Sequence, residues 1–96
     1  MIVVFSFESD RDLERIGDWI ALRSPTRAAA YLKGLREACL GLAEFPERFE
    51  AVATIKGDFR RRVHGAYSIF YQVNSDHIRI ARVIHGAQLI TLDRFL

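Results

Sequence analysis

The densest positive charge in this chain is the run Arg60-Arg61-Arg62, with His64 two positions on and Arg82 and His85 further along. Guanidinium groups grip phosphate or carboxylate oxygens bidentately, and an imidazole with an ordinary pKa near ~6.5 moves protons at neutral pH. Arg62, Arg82 and His85 therefore hold parts of a phosphate-binding, proton-transferring set. On an extended strand the middle arginine of the run points away from the outer two. The plainer reading of the run is an edge strand protected by solvated charge, and of each histidine a hydrogen-bonded or exposed strand end. Trp19 is as well suited to anchoring a partner as to filling a core. Cys39 falls on an apolar helical stripe and reads as a small hydrophobe, not a nucleophile. The sequence holds no CxxC or HxxxH spacing, glycine-rich phosphate loop or serine nucleophile elbow, so neither a metal nor a cofactor is expected.

The elements that must position these groups follow from periodicity. Residues 2–7, IVVFSF, favour a strand. Ser9 offers an N-cap, with Asp12 three residues on as in a capping box, and Leu13, Ile16 and Ile20 then form a helical stripe widened by Trp19 and Leu22. That helix is expected to end near Arg23. Ser24-Pro25 restarts a second helix, whose stripe runs from Ala28 through Tyr31, Leu32, Leu35, Ala38, Cys39 and Leu42 to Phe45, where Pro46 stops it. So short a link folds the helices into an antiparallel hairpin.

Residues 47–59 give no clear element beyond a turn at Lys56-Gly57-Asp58. Residues 60–64, 67–73 and 77–85 read as a three-stranded antiparallel meander, turning at Gly65-Ala66 and Asn74-Ser75-Asp76. In the last of these strands Ile78, Ile80 and Ile84 are expected to share a face with Arg82. The expectation is an α+β fold: an N-terminal strand at either sheet edge, a two-helix hairpin, and a meander packed on the helices. The apolar residues after Gly86 are expected to dock.

Composition bounds the function classes. The chain has 96 residues, 50% hydrophobic, with 14 Lys and Arg against 12 Asp and Glu. That fits one domain, 1–96, and excludes a complete (β/α)8 barrel or dinucleotide fold. A lone cysteine suits a reducing compartment, and no apolar run approaches the ~20 residues of a spanning helix, so a cytoplasmic protein is expected. The net charge of +2 divides into −2 over residues 1–53 and +4 over residues 54–96, which suggests an anionic partner for the second half.

In order and spacing the chain resembles the RelE/ParE superfamily of toxins from type II toxin–antitoxin systems. The residues that carry the likeness are DLERIGDWIA (12–21), the Ser24-Pro25 restart with AAAYLKGLREAC (28–39), LAEFPERF (42–49), RRRVHGAYSIFYQV (60–73) and IRIARVIHGA (78–87). The RelE-like branch cuts messenger RNA on the ribosome, whereas the ParE-like branch blocks DNA gyrase and serves in plasmid stabilisation. This chain leans to the second, because Ser68 stands where the nucleases carry an arginine and Gly86 where a tyrosine often follows the closing histidine. Tyr67 and Tyr71 share a strand face with Ile69, which suggests packing.

The resemblance implies a cognate ParD-like antitoxin whose disordered C-terminal segment folds across the toxin and whose other part binds operator DNA, leaving the toxin only an indirect link to that DNA. It implies gyrase as target, with the ribosome as the alternative. Arg60, Arg61, Arg62, His64, Arg82, His85 and Trp19 are the candidates for target or antitoxin binding. Were the chain a nuclease, Arg62, Arg82 and His85 would be its catalytic candidates. A non-toxic homologue that still binds antitoxin is a third possibility.

Overall fold

The computed structural model describes residues 1–54 and 56–86. Strand β1 (Ile2–Phe5) leads through Ser6 into helix α1 (Phe7–Ala21). Ser6, not Ser9, is the N-cap: its Oγ accepts from Ser9 N–H at 3.0 Å, and Ser9 is buried in the first turn. Tertiary anchoring decides between the two serines. Ser6 N–H donates to Ile80 O at 3.0 Å and Ser6 Oγ donates to Ala81 O at 2.8 Å, so one residue closes the strand pairing and opens the helix.

Helix α2 (Pro25–Leu40) begins as the sequence indicates, with Ser24 Oγ accepting from Arg27 N–H at 3.2 Å and proline in the first turn. The helices approach closely at Gly17, where a Cβ would lie 2.6 Å from Leu32 Cδ1. Helix α2 stops short of the Phe45 expected from periodicity, giving way to single 3-10 turns at Gly41–Ala43 and Pro46–Arg48. Phe45 is 76% exposed with φ 53°. The ring of Pro46 disfavours right-handed helical backbone in the residue before it, so the apolar stripe ends at Leu42.

Four further strands follow: β2 (Glu50–Thr54), β3 (Gly57–His64), β4 (Tyr67–Val73) and β5 (His77–His85). They form a five-stranded sheet in the order β1-β5-β4-β3-β2. The meander is thus one strand longer than the three read from sequence, because β2 pairs antiparallel with β3 through Val52 and Phe59. Strand β1 lies at the far edge, parallel to β5, with Val3 opposite Ile78 and Phe5 opposite Ile80.

Between β4 and β5 the register slips: Phe70 pairs with Arg82 while Tyr71 pairs with Ile80, leaving Ala81 as an extra residue. This bulge reverses the alternation. Ile78 and Ile80 therefore share the helix-facing side with Val83, and Arg82 and Ile84 turn to the opposite face, contrary to the face-sharing expected from strict alternation. The core joins Leu13 and Ile16 of α1, Leu35, Ala38 and Cys39 of α2, and Leu42 to Ile69, Tyr71, Ile78, Ile80 and Val83 of the sheet. On the other face Phe59, Ser68, Phe70 and Ile84 are buried too. The docking expected after Gly86 lies outside the described residues.

Cys39 is fully buried, as its place on the stripe indicates. Burial pushes its thiol from 9.0 up to about 12, against the weaker pull of Arg62 and Arg36. Burial likewise holds the Tyr71 phenol above its ordinary 10.0. A folded pKa raised above the unfolded one gives stability that is complete below the unfolded value and is lost as pH climbs through the folded one. The urea midpoint is therefore expected to fall from pH 9 towards 12, and to fall less steeply in Cys39→Ala. Equal slopes in the two proteins would refute the assignment.

Candidate recognition surface

The arginine run alternates as a strand requires. Arg60 and Arg62 point to the helix side, opposite Tyr71 and Ile69, and Arg61 to the other. Arg60 Nη1 donates to Glu47 O at 3.0 Å and to Phe49 O at 2.8 Å, fixing the segment that enters β2. Arg62 Nη1 donates to Ala38 O in the last turn of α2 at 2.9 Å, and its guanidinium lies 5.0 Å from the Phe49 ring centroid. A cation there meets the negative end of the helix dipole. Arg61 pairs with Glu50, its cross-strand partner, at 2.8 Å. The run thus ties α2 to β2.

Arg82 is also engaged. Its Nε and Nη2 donate to the two carboxylate oxygens of Asp12, each at 2.7 Å. Val83 N–H donates to Asp12 Oδ2 at 2.9 Å, beyond the point where β1 has ended. The two side chains are only 13% and 6% exposed, and the hydrogen bonds that Arg82 donates to Asp12 hold the guanidinium proton more tightly than usual. Sequence reasoning gave Asp12 a capping-box role. The true cap lies three residues further back, which frees the Asp12 carboxylate to reach across to β5.

His64, Tyr67 and His85 are brought together. They are register partners across β3, β4 and β5 at the end of the sheet, on its helix-facing side. Their imidazole-bearing strands stand two strand spacings apart, roughly 10 Å. Tyr31 of α2 joins the row, with its ring 5.8 Å from His64 and 5.9 Å from Tyr67, while Tyr67 meets His85 edge-on at 5.3 Å. Tyr31 Oη donates to His64 O at 3.3 Å. Burial and the adjacent Tyr31 hold the Tyr67 phenol above its ordinary value. Tyr31 was absent from the sequence candidates because its helical spacing marks it as core; it is half-buried and serves both purposes.

Concavities flank the row. One, of about 490 Å³, is lined by Ile20, Arg27, Ala30, Tyr31, Gly34 and His64. Another, of about 430 Å³, lies between α1 and the end of β5, among Trp19, Tyr67 and His85. Trp19 is 65% exposed, which settles it as a surface residue. No cluster of metal-ligating side chains occurs among the described residues.

The family described as "ParE toxin of type II toxin-antitoxin system, parDE" matches residues 3–90. The chain belongs to this family. It is 35% identical over 88 residues to "Toxin RelE2" of Caulobacter vibrioides, covering 91% of this chain and 97% of that protein. It is 34% identical over 92 residues to "Toxin RelE1" of the same organism, covering 90% and 94%. A solved chain from "Chromosomal ParDE TA system from P. aeruginosa" superposes with a TM-score of 0.76 at 18% identity, covering 88% of this chain and 95% of that one, which establishes the common fold.

As a ParE-family toxin the chain has an antitoxin for a partner. Ser68 is buried and pairs with Ile84 on the face away from the helices, and Gly86 is exposed, its N–H donating to Ala66 O at 2.8 Å. No helix among the described residues is long and apolar enough to cross a membrane. In this ParE-family toxin Asp12→Ala removes the carboxylate that accepts from the Arg82 guanidinium and from Val83 N–H, and is expected to cost about 3–5 kcal/mol of stability in urea titration. Arg62→Ala removes a charged hydrogen bond to α2 and is expected to cost about 1.5–3 kcal/mol. A loss under 1 kcal/mol on the order-of-magnitude scale for either would refute its structural role.

Proposed function

We propose that this toxin, a single domain over residues 1–96 working in the cytoplasm, acts by binding DNA gyrase and is held silent by its antitoxin. Arg82 and His85 border one concavity, and the observation that carries the reading is the separation and engagement of the two guanidiniums of the would-be catalytic set. Arg62 projects to the helix side and holds Ala38 O, whereas Arg82 stands on the opposite face by register and is clasped by Asp12. Stabilising a phosphorane-like transition state needs preorganised positive charge at one point, beside a base for the attacking hydroxyl. Here the two guanidiniums hold the fold instead. The exposed Trp19, the His64–Tyr67–His85 row and the adjoining arginines supply residue types favoured at protein interfaces.

Induction of the free toxin in bacteria is expected to switch on a DNA-damage reporter, and the purified protein to inhibit supercoiling by gyrase. Normal supercoiling alongside cleaved ribosome-bound transcripts would sink this reading in favour of the RelE-type nuclease.

A further inference from the structure

The side of the sheet turned away from the helices is buried, although among the described residues no helix or strand lies over it. On this side Phe70 of the central strand is 0% exposed and Ile84 2%, and Ser68 and Phe59 are buried with them. The Nε of Arg61, which stands opposite Phe70, is screened from solvent as well. Both helices pack against the other side, on Ile69, Tyr71, Ile78, Ile80 and Val83. An antiparallel sheet with one solvated face alternates buried and exposed residues along each strand. Strand β4 does not: Ile69, Phe70 and Tyr71 are consecutive and all fully buried, the mark of a sheet covered on both faces. The burial belongs to the single chain, so neither a second copy nor a partner protein supplies the cover.

We infer that this face is the docking site of residues 87–96 of the same chain, whose Leu89, Ile90, Leu92, Phe95 and Leu96 supply the apolar surface that Phe70, Ile84 and Phe59 are buried against. Position and length agree. Strand β5 ends at His85, one residue past Ile84, and Gly86 N–H donates to Ala66 O, which holds the exit of the chain close to Ser68 at the end of this face. From Ile84, opposite Ser68, to Phe59, next to the Arg60–Tyr71 pair, the face spans two strand spacings and about four residues, roughly 16 Å. Ten residues reach up to about 33 Å when extended, enough to cross it. Val63, on the same side opposite Ser68, is 57% exposed, so the cover runs from Ile84 over Phe70 to Phe59 and leaves that corner open. The chain itself thereby fills the outer face and withholds it from antitoxin and target alike, which leaves them the helices and the His64–Tyr67–His85 end of the sheet. This holds whichever target the toxin has.

Cysteine labelling of the full chain tests this. Ser68→Cys in a Cys39→Ala background places a thiol on the covered face, and the native Cys39 of the wild-type chain reports on the helix side. Both thiols are expected to resist a water-soluble maleimide. Adding Leu92→Asp and Phe95→Asp is expected to speed labelling at position 68 at least about 10-fold and to leave Cys39 protected, because a local opening bares one face without unfolding the molecule. Free labelling at position 68 in the chain with its natural tail, or protection there that survives both aspartates, would overturn the inference. If both thiols become reactive together, the aspartates have unfolded the chain and a second variant decides. Phe95→benzoylphenylalanine, photolysed in the otherwise natural chain, is expected to cross-link to peptides that carry Phe59, Phe70 or Ile84. Cross-links confined to α1 or α2, or none to the sheet, would overturn the inference.

Discussion

The carboxylate of Asp12 accepts hydrogen bonds from the Arg82 guanidinium and from Val83 N–H, and the arrangement of the end of the sheet that carries His64, Tyr67 and His85 depends on it. Strand β1 ends at Phe5, opposite Ile80, but β5 runs on to His85. The continuing edge of β5 would otherwise present an orphaned buried amide beside a bulge. Asp12 satisfies that amide and fixes α1 alongside. Past the bulge His85 is in register with Tyr67 and, through it, with His64.

The arginines show how residues suited to chemistry can be absorbed by architecture. Between α2 and β2 the backbone leaves regular structure, and Arg60 and Arg62 reach across to donate to Glu47 O, Phe49 O and Ala38 O. Their targets are backbone carbonyls, which need donors wherever the chain leaves regular structure. The Arg62 guanidinium lies over the Phe49 ring, so it contributes by contact as well as charge.

Where local chemistry alone determined the outcome, it was legible. Ser24-Pro25 starts α2 because cap and fixed backbone torsion agree, and the glycine turn between β3 and β4 reads directly, with Gly65 at φ 57°. What escaped depended on distant partners. Ser6 and Ser9 are equally good caps in isolation, and only pairing with β5 chooses between them. Glu50-Ala51-Val52-Ala53-Thr54 has weak strand character and becomes β2 because β3 offers it an edge. The bulge at Ala81 leaves no mark in the sequence, so the face of Arg82 was misread. The likeness of order and spacing carried the family, whereas the candidate surface was only half visible: His64, His85 and Trp19 could be named, but Tyr31, which joins the row, looked like an ordinary helix residue.

The pairing of the first strand with the last gives the molecule a particular order of assembly. Ser6 bonds to Ala81, 75 positions away in sequence, so β1 has no partner until β5 exists. Closing so long a loop is entropically costly and slows folding. During synthesis the helical hairpin and early strands would emerge first, with Asp12 still waiting for Arg82 and the His64–Tyr67–His85 row still missing its last member. The row is therefore completed only once β5 has been made, and a nascent chain cut short before His85 lacks it.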